Sequence, residues 1–134
     1  MKYKISTDKT LIDLICVHNY LSNTSYWSKG ISIDKLQKSI QHSLCFGIYE
    51  GAQQVGFARV VTDYVRMAYL ADVFILEAHQ GKGLGKELIK KIVEHPELKE
   101  VDKWFLLTAD AHGLYKQYGF TAPKKPEMYM EKNK

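Results

Sequence analysis

Three glycines at alternate positions, Gly81, Gly83 and Gly85, lie between Gln80 and Lys86, with Lys82 and Leu84 interleaved. Glycine lets a backbone take positive φ and approach a ligand closely, so this run suits anion binding by main-chain donors. It follows an apolar, β-branched and aromatic stretch from Tyr69 to Leu76 and leads into Leu84, Leu88, Ile89, Ile92 and Val93 at helical intervals. Strand, glycine turn and helix together aim free N–H groups and the positive end of a helix dipole at whatever sits over the turn. Lys82, Lys86 and Lys90 add cationic side chains for a polyanion. The same residues would also serve as a solvated lysine face over a tight turn.

Spacing removes two rival motifs. A P-loop counted from Gly81 requires glycine where Lys86 stands, and a dinucleotide fingerprint requires its third glycine at Lys86 or Leu88. What remains is Gln-x-x-Gly-x-Gly at Gln80, Gly83 and Gly85, followed downstream by Leu-Tyr-x-x-x-Gly-Phe at Leu114, Tyr115, Gly119 and Phe120.

In these two motifs, met in the right order, the chain resembles the GNAT superfamily of acetyl-CoA-dependent N-acetyltransferases. The resemblance runs from the first expected helix to about Tyr129, with both motifs in the second half. It implies an α/β single-domain fold with a central mixed, splayed β-sheet flanked by helices. It also implies acetyl-CoA as co-substrate, no metal, and a primary amine as acceptor, on a small molecule or as an exposed amino group. Members of the family are often homodimers; the residues here do not reveal an oligomeric state.

Family chemistry is direct attack of the amine on the acetyl thioester, without a covalent enzyme intermediate. It needs a neutral amine, a stabilised oxyanion and a proton for the departing thiolate. In the family the end of the fourth strand pairs with the pantetheine amides, which here implies Val73, Phe74 and Ile75. A strand that parts from its neighbour does leave N–H and C=O groups that a peptide-like ligand can satisfy. The turn from Gln80 through Gly81, Lys82, Gly83, Leu84 and Gly85 to Lys86 then takes the pyrophosphate. Tyr115 is the implied acid, and Tyr118, three residues on, is a competitor that spacing does not separate from it.

The base is open. Asp72 interrupts an otherwise apolar strand, and burial would raise the proton affinity of a lone carboxylate there. Equally, Asp72 is placed to bond to backbone at a bulge or to hold the substrate ammonium, with water as the alternative proton relay. His112 lies one helical turn before Tyr115 but reads more simply as structural or solvated. Tyr26 and Trp27, with Tyr20 nearby, offer an aromatic wall for an aryl group or an ammonium, or else an anchor for a polar loop. Asp63 and Tyr64 lie where the family often contacts substrate. The chain departs from many members by having Asp110 where an Asn starts the tyrosine-bearing helix; as an N-cap the two are equivalent, but a carboxylate would repel phosphates.

The elements that must position these residues follow in chain order. A strand spans Lys2 to Ser6, and Leu11, Leu14, Ile15, His18 and Leu21 mark a helix begun by Thr7 or Asp8. Ser32 caps a second helix, and Cys45 to Glu50 and Gln54 to Thr62 form a hairpin. The central strand starts near Arg66, Pro96 stops the glycine helix, and Trp104 to Thr108 is another strand. Asp110 caps a helix ending before Gly119, and Thr121 to Tyr129 closes the sheet.

A length of 134 residues suits one domain, expected to span 1–134. The net charge of +4 comes from scattered lysines and not from one basic block, so it permits coenzyme A without suggesting nucleic acid. Basic and aromatic residues do not interleave as single-strand binding requires. Cys16 and Cys45 have neither disulfide nor metal spacing and read as buried thiols. No signal peptide and no apolar run of about 18 residues is present, so the expectation is a cytoplasmic protein with no membrane partner. A non-catalytic acyl-CoA-binding sensor or subunit is the alternative function.

Overall fold

In the computed structural model, which describes residues 2–134, four strands form an antiparallel meander. They are β1 (Tyr3–Ser6), β2 (Leu44–Glu50), β3 (Gln53–Thr62) and β4 (Met67–Ile75), paired in chain order. β5 (Lys103–Leu106) then adds parallel to β4, completing the mixed sheet. A parallel neighbour needs a long crossover, and the glycine turn with its helix supplies it.

Alternation along the strands divides the apolar residues between two cores. On one face Phe46, Ile48, Val60 and Leu70 pack with Leu84, Leu88, Ile89 and Ile92 of α3 (Leu84–Val93) and with Tyr115 of α4 (His112–Lys116). On the other, Cys45, Phe57 and Phe74 pack with Val17 and Leu21 and with Leu36 and Ile40 of α2 (Ile33–Gln41). Ser32 caps α2 as expected, accepting from the Lys35 N–H at 3.2 Å.

The first helix differs from expectation. Asp8 caps only a 3-10 turn, Lys9–Leu11, and α1 (Leu14–Asn19) begins afresh with Asp13 as its N-cap. The break is fixed from the sheet, because buried Gln54 accepts from the Asp13 N–H at 2.7 Å and donates to the Gly56 carbonyl at 3.0 Å. α1 then winds into a π-turn over Tyr20–Thr24, which carries the helical path three residues past Leu21.

The C-terminal expectation is also corrected. Residues 121–134 are exposed throughout and form no strand; their one regular turn is 3-10, at Pro126–Met128. Pro123 and Pro126 remove donors a strand would need, and Phe120 is the last apolar side chain packed on a core. No helix among the described residues is long and apolar enough to cross a membrane.

Candidate active site

β4 and β5 pair from Met67 with Lys103 to Leu70 with Leu106 and then separate, while β4 continues to Ile75. The Leu76 N–H donates to Val55 at 2.8 Å, so strand alternation turns Phe74 and Leu76 toward β3 and leaves the main-chain groups of Val73 and Ile75 on the open side. Phe74, expected to present its backbone with them, does not: it pairs with Phe57, and its buried ring stacks on Tyr20 with centroids 4.1 Å apart. Gln80 closes the far end of the gap by donating from Nε2 to the Ile75 carbonyl at 2.9 Å.

The glycine turn lies beyond this end. Gly81 and Gly83 have φ of 78° and 80°, in the left-handed region that favours glycine. Gly83 is the N-cap of α3, and the first helical bond is from the Glu87 N–H to its carbonyl at 3.1 Å. The N–H groups of Gly83, Leu84, Gly85 and Lys86 have no partner among the described residues. The Leu84 side chain is buried in the core, so only its main chain faces the turn. Lys82 leans toward β1, donating to Tyr3 Oη at 3.3 Å, while Lys86 is exposed.

Tyr115 rises beside the gap from α4. Its ring is 8% exposed and edge-on to Phe120, and its hydroxyl has no hydrogen-bond partner among the described residues. Burial pushes this phenol up to about 12, with Tyr26 and then Asp110 adding to the effect. Tyr118 is distinguished from it by geometry, because its hydroxyl donates to the Lys86 carbonyl at 3.1 Å and ties α4 to α3. Asp110 does not cap α4. The N-cap is Ala111, and the Thr108 hydroxyl accepts from the N–H groups of Ala111 at 3.0 Å and Asp110 at 3.4 Å.

Asp72 is a bulge residue with φ of 55° and is 8% exposed. It is not a lone carboxylate. Oδ2 accepts from Arg59 Nε at 2.8 Å, and Oδ1 accepts from Trp27 Nε1 at 2.9 Å and Ser28 Oγ at 3.4 Å. Arg59 in turn donates to Ser43 Oγ at 3.2 Å. Reading the sequence for the acid alone missed Arg59 and Ser28; the available signal was that each strand of an apolar pair carries one opposite charge.

The loop after the π-turn joins both lips of the gap. Trp27 holds Asp72 on β4, while Tyr26 Oη accepts from the Ala109 N–H beyond β5 at 2.8 Å; the two rings meet edge-on at 5.0 Å. Beside it, Cys16, Asn19, Tyr20, Asn23, Thr24 and Leu76 line an open concavity of about 470 Å³. The Tyr20 phenol is raised by burial and by the charges of Asp110 and Glu77. Burial raises both thiols, Cys45 to about 11, so neither is a ready thiolate nucleophile. Asp63 accepts three main-chain N–H groups of its own turn, from Val65, Arg66 and Met67.

Comparison with known proteins gives these features a context. A family model for the acetyltransferase (GNAT) domain matches residues 41–122. A Gibberella zeae protein with a provisional acetyltransferase name is 32% identical over 136 residues, spanning 84% of this chain and 75% of that one. A GNAT-family protein of solved structure from Xanthomonas campestris matches with a TM-score of 0.95 at 44% identity, covering 98% of this chain and 92% of that one. A Clostridium acetobutylicum protein solved with acetyl-CoA shares the fold, with a TM-score of 0.71 at 16% identity over 98% of this chain and 94% of that one.

Proposed function

The chain belongs to the GNAT acetyltransferases, and from that premise we propose that it is an acetyl-CoA-dependent N-acetyltransferase acting on a primary amine by direct attack. The observation that carries the reading is a juxtaposition along one gap. The open main-chain groups of Val73, the Ile75 N–H, the four free N–H groups from Gly83 to Lys86 and the unpartnered Tyr115 hydroxyl follow the β4–β5 opening and its end.

Their chemistry matches the parts of a long acyl carrier. Val73 and Ile75 pair with amides as a strand would, and the N-terminus of α3 holds the diphosphate through N–H groups and the helix dipole. Gln80 keeps the two regions in fixed relation through its bond to Ile75. The neutral amine nitrogen forms the new C–N bond and gives up one proton to solvent water, the C–S bond breaks, and the leaving sulfur takes up a proton, so that amide and free thiol are the products. With its phenol near 12, Tyr115 stays protonated across the physiological range and donates a hydrogen bond to the developing thiolate. Asp72 is assigned a positioning role, since Arg59, Trp27 and Ser28 occupy its oxygens.

Calorimetric titration with acetyl-CoA, with NAD and ATP as controls, tests the reading. Selective micromolar binding followed by thiol release with one or more amines is the expected result. Selective binding without turnover across a broad amine panel would favour a non-catalytic acyl-CoA sensor, and no binding by folded protein free of copurified coenzyme would remove both.

A further inference from the structure

β4 and β5 make their last pair at Leu70 and Leu106, and the loop from Ser25 to Gly30 crosses the opening just past it. Two consecutive residues take one lip each. Trp27 Nε1 donates to Asp72 Oδ1 at 2.9 Å, two residues beyond the last pair on β4. Tyr26 Oη accepts from the Ala109 N–H at 2.8 Å, three residues beyond it on the other lip. The rings meet edge-on with centroids 5.0 Å apart, so the two side chains form one bar between the lips.

The bar is held in place. Buried Ser25 donates from Oγ to the Leu21 carbonyl at 2.6 Å and accepts from the Ser28 N–H at 3.1 Å, while the Gly30 N–H donates to the Ser22 carbonyl at 3.0 Å. Asp72, its anchor on β4, is itself fixed by Arg59. A loop closed on itself and tied to both lips acts as a wall and not as a lid.

On the acetyltransferase reading proposed above, on which this inference rests, the carrier's diphosphate lies at the N-terminus of α3 and its amides run back past Ile75 to Val73. Its acyl end then arrives at Asp72, one strand residue or about 3 Å beyond Val73, where the bar crosses. Tyr115 belongs to the core on one sheet face, and Leu21, which leads into the bar, to the core on the other. The acyl group is thereby enclosed from both sides.

We propose that Tyr26 and Trp27 form the end wall of the acyl site and set the length of the acyl group, admitting acetyl and turning away n-butyryl. The two additional methylenes would have to push aside rings that give up a hydrogen bond when they move. Tyr26 is 57% exposed, so a smaller side chain there takes away the wall without opening a cavity in either core.

The test is calorimetric titration of the full chain with CoA, acetyl-CoA and n-butyryl-CoA, which needs no acceptor. Wild type is expected to bind n-butyryl-CoA about tenfold or more weaker than acetyl-CoA. Tyr26→Ala should bring the two within about threefold of each other, with the Kd of free CoA, which carries no acyl group, within about twofold of wild type. Tyr26→Leu, a milder truncation, should move the ratio in the same direction. Equal affinity of wild type for the two thioesters, or discrimination that persists in both folded variants, overturns the proposal and leaves the acetyltransferase reading intact. Parallel loss of affinity for all three ligands in the variants also overturns it, because the bar would then only brace the lips. Binding of none of the three by folded wild type overturns the acetyltransferase reading, and the proposal with it.

Discussion

Arg59 Nε donates to Asp72 Oδ2 at 2.8 Å, joining neighbouring strands at the bulge where β4 prepares to leave β5. The pair is enclosed, with side-chain exposures of 17% and 6%. Removing one partner of such a pair strands the other charge, at a cost of about 3–5 kcal/mol. Arg59→Met is therefore expected to lower unfolding stability by an amount of that order, and Asp72→Asn by less, since an amide still accepts from Trp27. Urea unfolding checks both, and equal small losses of under about 0.5 kcal/mol would show that the pair is not a structural tie.

Gly83 and Gly85 should respond differently although they belong to one motif. Gly83 has φ of 80° with open space around a would-be Cβ, so Gly83→Ala is strained by its backbone and should cost about 1–2 kcal/mol. Gly85 has ordinary φ inside α3, and a Cβ there meets only Leu114 Cδ2 at 3.8 Å. Gly85→Ala should thus gain up to about 1 kcal/mol of stability. If both variants nonetheless raise the acetyl-CoA Kd, the effect at Gly85 belongs to the ligand's approach and not to the fold.

Tyr115→Phe separates acid from packing. The ring stays and the hydroxyl goes, so kcat is expected to fall by about a hundredfold while acetyl-CoA Kd stays within about twofold. Its phenol titrates near 12, so a basic limb in kcat below about pH 10 belongs to another group and should persist in the variant. Equal losses in kcat and binding would make the hydroxyl a binding group.

Tyr49 gives the clearest prediction from pH. Its hydroxyl is buried without a partner, and burial, followed by Asp8, Cys45 and Cys16, pushes the phenol from 10.0 to about 12. A folded value above the unfolded one means stability that is complete below pH 10 and lost as pH rises toward 12. Tyr49→Phe should flatten that alkaline loss and leave neutral stability unchanged or better by up to about 1 kcal/mol. A neutral-pH loss above that size would show that the hydroxyl holds a bridging water. The ring fits only because residue 47 is glycine, where a Cβ would fall 2.6 Å from Tyr49 Cζ.

Local spacing carried the readable half of the fold. The α3 stripe, the Ser32 cap and the β2–β3 hairpin depend on contacts a few residues apart, and all three appear in the structure. What escaped depends on distant partners. Gln54 restarts α1 from the sheet, and the Asp72 bulge joins residues 13 and 45 positions away. The pairing of Phe74 with Phe57 was out of reach for the same reason, because the bulge decides which main-chain groups face the gap.

That bulge also limits how the site can vary. At φ of 55°, position 72 suits Gly, Asn or Asp, whereas a longer acid pays the left-handed strain and overshoots Arg59. Losing the charge is thus an easier single step than moving it by one methylene. Across homologous chains, the physics expects Asp72 to be exchanged for Asn or Gly before Glu, against the usual ranking of conservative substitutions.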